Sequence, residues 1–97
     1  MNSIDIEKLL ELLNNKSINI IDIRTKYEYM LNHIPTSKNI DKILLRIAPE
    51  KYLNSKEIYY IYCQSGYSSK ALVEYLNTLG YNTVNINGGY NNYLLRK

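Results

Sequence analysis

The sequence predicts an α/β fold in which a parallel sheet carries helices on both faces. Short apolar segments rich in β-branched residues alternate along the chain with segments whose apolar residues recur at helical spacing. The strand segments are apolar almost throughout, which is typical of strands covered on both faces. This alternation favours right-handed crossovers that bury the sheet between two layers of helices.

The elements can be assigned in chain order from these two periodicities. The prediction is a helix over residues 3–15, a strand over 18–24, a helix over 25–33, a short extended piece at 39–40, a weak helix over 43–48, a strand over 57–63, a helix over 68–80, a strand over 82–86 and a closing helix over 90–97.

Residue types at the segment ends indicate where the helices begin and stop. Ser3 or Asp5 is expected to cap the first helix and Thr25 the second, which Pro35 prevents from continuing. Gly80 stands where a left-handed residue would end the helix that follows the second strand. The apolar side chains expected to share one face of that helix are Ala71, Leu72, Tyr75, Leu76 and Leu79.

Composition limits the classes of protein to consider. The chain has 97 residues, 45% of them hydrophobic and 22% charged, which predicts one globular domain over residues 1–97 and favours a monomer. The net charge of +3 is spread over scattered lysines, so nucleic-acid binding is not expected. No apolar run approaches the roughly 20 residues of a membrane span, and the first residues are acidic rather than basic. A cytoplasmic protein that does not bind membranes is therefore expected.

Cys63 is the only cysteine, and the chain has one histidine. An internal disulfide is impossible, and a zinc site would need distant carboxylates. No Gly-rich dinucleotide or phosphate-binding motif occurs either, so neither a metal nor a cofactor is expected. Cys63 is then either a small buried side chain or a reactive thiol.

The residues after Cys63 favour the reactive thiol. Cys63 ends a strand, Ser69 opens a helix soon afterwards, and Gly66 between them can adopt a positive φ without steric cost. Backbone N–H groups of residues 64–69 could therefore turn inward as an anion-binding nest, to which the helix adds its positive end. In this solvent-facing loop the thiol should have a pKa lowered from about 8.5 towards roughly 3.5–7.5. At the exposed carboxyl end of its strand, Cys63 should contribute little packing.

Three motifs, in the same order along the chain, resemble the rhodanese-like sulfurtransferases. They are CQSGYSS over residues 63–69, IIDIRTKYEYMLNHIPTSKNI over 20–40 and GYNTVNINGGYNNYL over 80–94. The resemblance implies a five-stranded parallel sheet flanked by helices on both faces. It also implies a catalytic Cys63 that carries a persulfide.

The resemblance further implies a reaction and a binding loop. The Cys63 thiolate would take sulfane sulfur from thiosulfate, a polysulfide or a persulfide and pass it to a thiol or cyanide, or to a sulfur-relay protein partner. The residues implied to bind substrate and persulfide are Gln64, Ser65, Gly66, Tyr67, Ser68 and Ser69. Taken singly, each serine in this loop is better explained as a helix cap or a solvated residue.

Polar residues after the first strand are expected to brace this loop. Asp22 and Arg24 lie at the carboxyl end of that strand, where an ion pair of Arg24 with Asp22 or with Glu28 would hold the loop in place. Arg24 could instead bind a substrate anion. His33 is expected to have a structural role, because an acidified thiol needs no general base.

The loop departs from the family pattern where many members carry arginine. Those positions hold Gln64 and Ser68, which argues against efficient use of thiosulfate, although Lys70 could compensate in part. Two alternatives stay open. One is a non-catalytic rhodanese-like binding or sulfur-carrier module. The other is a relative of phosphatases or arsenate reductases, which would need an arginine where Ser69 stands.

Overall fold

Five parallel strands form one sheet in the computed structural model, which describes residues 2–96. The strand order is β1-β5-β4-β2-β3, so the predicted α/β class and the parallel sheet of five strands are confirmed. The elements are β1 Ser3–Ile4, α1 Ile6–Asn15, β2 Asn19–Asp22, α2 Lys26–Leu31, β3 Lys38–Asn39, α3 Lys42–Ile47, a 3₁₀ turn Pro49–Lys51, β4 Ile58–Tyr62, α4 Tyr67–Thr78, β5 Asn82–Ile86 and α5 Gly89–Arg96.

Alternating side chains of the central strands build two separate cores. Ile21 and Ile61 face a cluster that includes side chains of α3 and α4, whereas Ile20 and Tyr62 face a cluster that includes side chains of α1 and α5. Because successive strand residues point to opposite faces, nearly continuous apolar runs are what such a sheet requires. Within residues 2–96, none of the helices has both the length and the apolar character required to cross a lipid bilayer.

The amino-terminal segment differs from its prediction. Ser3 does not cap a helix but lies in strand β1, opposite Asn85 of β5. Helix α1 begins only at Ile6, after Asp5. The Asp5 carboxylate does not cap the helix either, because it accepts a hydrogen bond from Asn87 Nδ2 at 2.9 Å. A two-residue strand is too short to show any periodicity.

A glycine with left-handed backbone flanks helix α4 at each end. It begins after Gly66, whose φ is +95°, and Gly80 at its other end has φ of +96°. The Gly80 and Tyr81 N–H groups donate to the carbonyls of Asn77 and Leu76, which completes the predicted helix end. Its predicted apolar face is partly wrong, since Ala71 and Leu79 are exposed. The buried side chains of α4 are Ser69, Leu72, Val73 and Leu76.

Helix α2 and the turn that follows it are short and locally stabilised. Thr25 caps α2 as predicted, and Thr25 and Glu28 form a reciprocal capping box. Further on, Thr36 has φ of +70°, a conformation that favours glycine.

The turn between β5 and α5 packs directly against the loop after Cys63. The Tyr90 N–H donates to the Cys63 carbonyl at 2.9 Å, and the Asn91 N–H donates to the Gln64 carbonyl at 3.0 Å. A Cβ atom on Gly89 would lie 2.2 Å from the Cys63 carbonyl oxygen. These two backbone segments can therefore approach this closely only because residue 89 has no side chain.

Gly89→Ala should destabilise the protein more than Gly80→Ala. Both glycines have positive φ, but a Cβ on Gly80 would meet nothing within 4 Å. Gly80→Ala therefore costs about 1–2 kcal/mol of left-handed strain, and Gly89→Ala adds an overpacking cost of about 1–3 kcal/mol. The free energies of unfolding of both variants can be measured by urea denaturation monitored by circular dichroism. Equal free energies of unfolding for the two variants would contradict the close packing of the turn.

Candidate active site

A cavity of about 390 Å³ opens at the carboxyl ends of β2 and β4. Cys63 and Ser68 line it from the loop that joins β4 to α4, and Arg24 lines it from the end of β2. Helix α3 contributes Lys42 and Ile43. In parallel sheets the strand ends meet at this edge, which is where ligands usually bind.

The loop directs three hydrogen-bond donors at one sulfur atom. Cys63 Sγ accepts from Gly66 N at 3.1 Å, from Ser69 N at 3.4 Å and from Ser69 Oγ at 3.2 Å. Gly66 adopts the positive φ that the sequence suggested, and this conformation reverses the chain over the sulfur. The sulfur therefore lies at the amino-terminal end of α4, where partial positive charge favours an anion.

These donors determine the ionisation of Cys63. Burial raises the pKa of the thiol, but the hydrogen bonds from the Ser69 side chain and from the backbone N–H groups of Ser69, Gly66 and Ser65 outweigh it. The net effect lowers the pKa of Cys63 below its ordinary value. Donors that bind the charged form favour thiolate over thiol.

Cys63 is more buried than the sequence suggested. Its residue is only 7% exposed, and it packs in the same core cluster as Ile23 and Leu72. The expectation that Cys63 contributes little packing is therefore wrong. Cys63 packs in the core and also borders the cavity, so it is both a small buried side chain and a residue of the candidate site.

Asp22 and Arg24 form the buried ion pair expected at the end of the first strand. Arg24 Nη2 lies 2.9 Å from Asp22 Oδ2 and also donates to the Asn32 carbonyl at 2.7 Å. The guanidinium carbon lies 3.9 Å from the centroid of the Tyr90 ring. Burial lowers the pKa of Arg24, but hydrogen bonding and charge from Asp22 outweigh it and raise the pKa. Arg24 therefore connects the end of β2 with the end of α2 and with α5.

Glu28 does not form the alternative pair with Arg24. Its carboxylate accepts from the Thr25 N–H and hydroxyl at 3.1 and 3.0 Å, although Glu28 also borders the cavity. His33 Nδ1 lies 2.8 Å from the Tyr29 carbonyl oxygen, and the two rings stack with centroids 3.8 Å apart. Glu28 and His33 therefore make these contacts with residues of α2 and its N-cap.

The other loop residues have distinct environments. Gln64 bridges two elements, since its Oε1 lies 3.4 Å from Arg24 Nη1 and its Nε2 donates to Asn91 Oδ1. Ser65 is exposed and borders the cavity, whereas Tyr67 is 81% exposed and lies outside the cavity lining.

Ser69 is not a helix cap, which corrects one sequence-based alternative. Helix α4 begins two residues earlier at Tyr67, so Gly66 occupies the N-cap position. Ser69 is fully buried, and its hydroxyl lies between Cys63 Sγ and Asn85 Oδ1.

Two residues of the site were missed by sequence reasoning. Asn85 of β5 lies 2.6 Å from Ser69 Oγ and donates from Nδ2 to the Gly66 carbonyl. An asparagine at a sheet position that is 2% exposed was the available signal. Lys42 donates to Ser68 Oγ at 3.3 Å and borders the cavity, whereas Lys70 is exposed outside the cavity lining. No local pattern distinguishes Lys42 from the other lysines.

Comparisons with known proteins identify a family. The family model for the rhodanese-like domain matches residues 5–96. The structure of a rhodanese-like domain protein from Staphylococcus aureus is 36% identical in sequence, covers 96% of this chain and 91% of that chain, and has a TM-score of 0.83. A human single-domain sulfurtransferase, with 21% identity, coverage of 100% and 98% and a TM-score of 0.87, supports the shared fold.

A curated relative matches over part of its length. It is the adenylyltransferase and sulfurtransferase uba4 of Ogataea parapolymorpha, 31% identical over 71 residues. The match covers 72% of this chain, but this chain spans only 18% of that relative.

The lowered pKa of Cys63 predicts that the thiol reacts at neutral pH. The rate of alkylation by iodoacetamide follows the thiolate fraction, which rises with pH through the pKa and then levels off. A lowered pKa moves this curve to lower pH, so the midpoint of the rate should lie below the value of about 8.5 for a free thiol. A midpoint near 8.5, the value of a free thiol, would contradict the role of the loop donors.

Proposed function

This chain belongs to the rhodanese-like domain family, and from that premise we propose that it is a sulfurtransferase that carries sulfane sulfur as a persulfide on Cys63. The observation that supports this most is the set of three hydrogen-bond donor groups within reach of Cys63 Sγ beside an open cavity. A residue that served only in packing would not need donors that favour its charged form.

The proposed reaction has two steps that both use this arrangement. The Cys63 thiolate attacks the sulfane sulfur of the donor, a new S–S bond forms, and the bond to the rest of the donor breaks with its electron pair on the leaving group. An acceptor nucleophile then attacks the outer sulfur of the persulfide, and the S–S bond breaks with its electron pair on Cys63 Sγ. Thiolate is regenerated, so no net oxidant or reductant is needed.

Backbone donors suit a sulfur anion that must persist between the two steps. The N–H groups of Ser65, Gly66 and Ser69 interact with the sulfur at the start of the helix. An amide is too weak an acid to protonate the persulfide. The Gly66 and Ser69 N–H groups already point at Sγ. We propose that neighbouring N–H groups of the same loop hold the outer sulfur.

The charges around the cavity bear on the choice of donor. Arg24 is bound to Asp22 and to the Asn32 carbonyl, which leaves it poorly placed to grip a substrate anion. Lys42 has no carboxylate within salt-bridge distance among residues 2–96. We propose that a lysine without an ion-pair partner favours a polysulfide or a small persulfide over thiosulfate, whose oxyanion is best bound by the bidentate fork of an arginine.

The acceptor is proposed to be a thiol or cyanide, either free or presented by a sulfur-relay protein. The cavity is small and its sulfur is nearly buried, so the acceptor must be narrow where it reacts.

Incubation with polysulfide should add about 32 Da, the mass of one sulfur atom, to the protein. Mass spectrometry of the intact chain detects the adduct, and cyanide should remove it. Cys63→Ala and Cys63→Ser should both abolish it, since Cys63 is the only thiol. Because Cys63 is packed, circular dichroism must first show that each variant is folded.

The opposite result would favour the alternative function. If folded wild-type protein gains no sulfur from thiosulfate, polysulfide or a small persulfide, the chain is a non-catalytic rhodanese-like module. A carrier role would be indicated instead if the persulfide forms but neither cyanide nor a small thiol can remove it.

Ser68→Arg should improve the use of thiosulfate. Ser68 borders the cavity, and a charge-assisted contact with the donor should lower KM on the order of tenfold with little change in kcat. Tyr67→Arg is the matched control, because it adds the same charge at a side chain that does not line the cavity. Equal KM values for the two variants would contradict anion recognition inside this cavity.

A further inference from the structure

The Ser69 hydroxyl has one hydrogen and two acceptors within reach. Ser69 Oγ lies 3.2 Å from Cys63 Sγ and 2.6 Å from Asn85 Oδ1. A hydroxyl donates one hydrogen bond, so it cannot serve both acceptors at once. All three residues are buried, with exposures of 0% for Ser69, 2% for Asn85 and 7% for Cys63. Ser69 and Asn85 do not line the cavity, so bulk water does not replace the hydroxyl group at Asn85 Oδ1.

The Asn85 amide is held with its oxygen towards Ser69. Its Nδ2 donates to the Gly66 carbonyl at 3.2 Å. Rotating the amide by half a turn would place Oδ1 against that carbonyl oxygen, and two acceptors cannot bond to each other. Asn85 Oδ1 is thus a fixed acceptor for the Ser69 hydrogen.

The charge on the sulfur decides which acceptor receives this hydrogen. A neutral thiol is a weak acceptor, and an amide oxygen at 2.6 Å is a good one. A thiolate is a charged acceptor and binds a donor more strongly. We propose that Asn85 is a positioning residue that holds the Ser69 hydroxyl hydrogen while Cys63 Sγ is uncharged and yields it when the sulfur becomes negative.

During sulfur transfer the Ser69 hydroxyl hydrogen would move between Asn85 Oδ1 and Sγ as the charge on Sγ changes. This part of the inference rests on the proposed function. In the persulfide the negative charge lies on the outer sulfur, and Sγ is uncharged. When cyanide attacks, a C–S bond forms, the S–S bond breaks with its electron pair on Sγ, and thiocyanate leaves. The Ser69 hydroxyl can turn to Sγ as this charge develops, whereas the N–H groups of Gly66 and Ser69 are fixed in direction.

A double-mutant cycle on the pKa of Cys63 tests the proposal without any sulfur donor. Ionisation of the wild type must break the bond between Ser69 and Asn85, so Asn85→Leu should lower the pKa and give about tenfold more thiolate at pH values below it. Ser69→Ala should raise the pKa. In the Ser69→Ala background, Asn85→Leu should leave the pKa unchanged, because no hydroxyl remains to be released.

The control is Thr83→Ala. Thr83 lies on the same face of β5, is 2% exposed, and donates to Asn77 Oδ1 at 2.8 Å on the same helix α4. Its loss should weaken packing but leave the pKa of Cys63 unchanged. The charged side chains that line the cavity with Cys63 are the same in every variant: Arg24, Glu28, Asp41 and Lys42.

The cycle has clear contrary outcomes. If Asn85→Leu changes the pKa equally in both backgrounds, or raises it in the wild type, Asn85 acts only through loop structure and the proposal is wrong. If persulfide forms while the cycle shows no coupling, the proposed function stands and this inference fails. If coupling is found but no persulfide ever forms, this inference stands for the ionisation of Cys63 and the proposed function fails.

A measurement on the wild type covers the case in which the Asn85 variant does not fold. The ¹³Cγ chemical shift of the Asn85 amide, followed by NMR through a pH titration, should change with the midpoint of Cys63 as Oδ1 loses its hydrogen bond. In Ser69→Ala this change should disappear, with the Asn77 amide as internal reference. A shift that titrates alike with and without the Ser69 hydroxyl would overturn the proposal.

Discussion

The reversal of the chain at Gly66 is the constraint on which the rest of the site depends. Only with the left-handed backbone at this residue do the N–H groups of Gly66 and Ser69 both face Cys63 Sγ. The same reversal presents the Cys63 carbonyl outward, where the start of α5 binds it. A Cβ atom on Gly66 would lie 2.8 Å from the Gly88 nitrogen, so the loop after Cys63 can pack against the turn at Gly88 and Gly89 only if residue 66 has no side chain. Two distant glycine motifs are thus one structural unit.

The Asp22–Arg24 pair connects this unit to the first half of the chain. A buried ion pair recovers its desolvation cost only when hydrogen bonds satisfy the remaining groups. Arg24 meets this condition, because it also donates to the Asn32 carbonyl and stacks on Tyr90 of α5. Removal of one partner would leave a buried charge uncompensated, which typically costs about 3–5 kcal/mol. The pair therefore acts as a brace between loops more than as a source of net stability.

The sequence could predict what lies close together along the chain. The thiol, the glycine and the helix start follow one another from Cys63 to Ser69, so the donor loop was predictable from local stereochemistry. Strand β1 was not, because its two residues are defined only by pairing with β5. Asn85 and Lys42 reach the site from other elements, and tertiary packing alone brings them there. Ser69 was misjudged as a cap because the helix begins earlier than its serines suggest.

The burial of Cys63 has a consequence for oxidative cross-linking. A disulfide requires two sulfur atoms about 2.05 Å apart, with Cα atoms usually within about 7 Å. Cys63 is 7% exposed and lies inside a cavity bordered by Gln64 and Ser68, so two folded copies cannot bring their sulfurs that close. The chain also has no second cysteine. The burial of its single sulfur atom therefore disfavours covalent dimerisation of the folded chain.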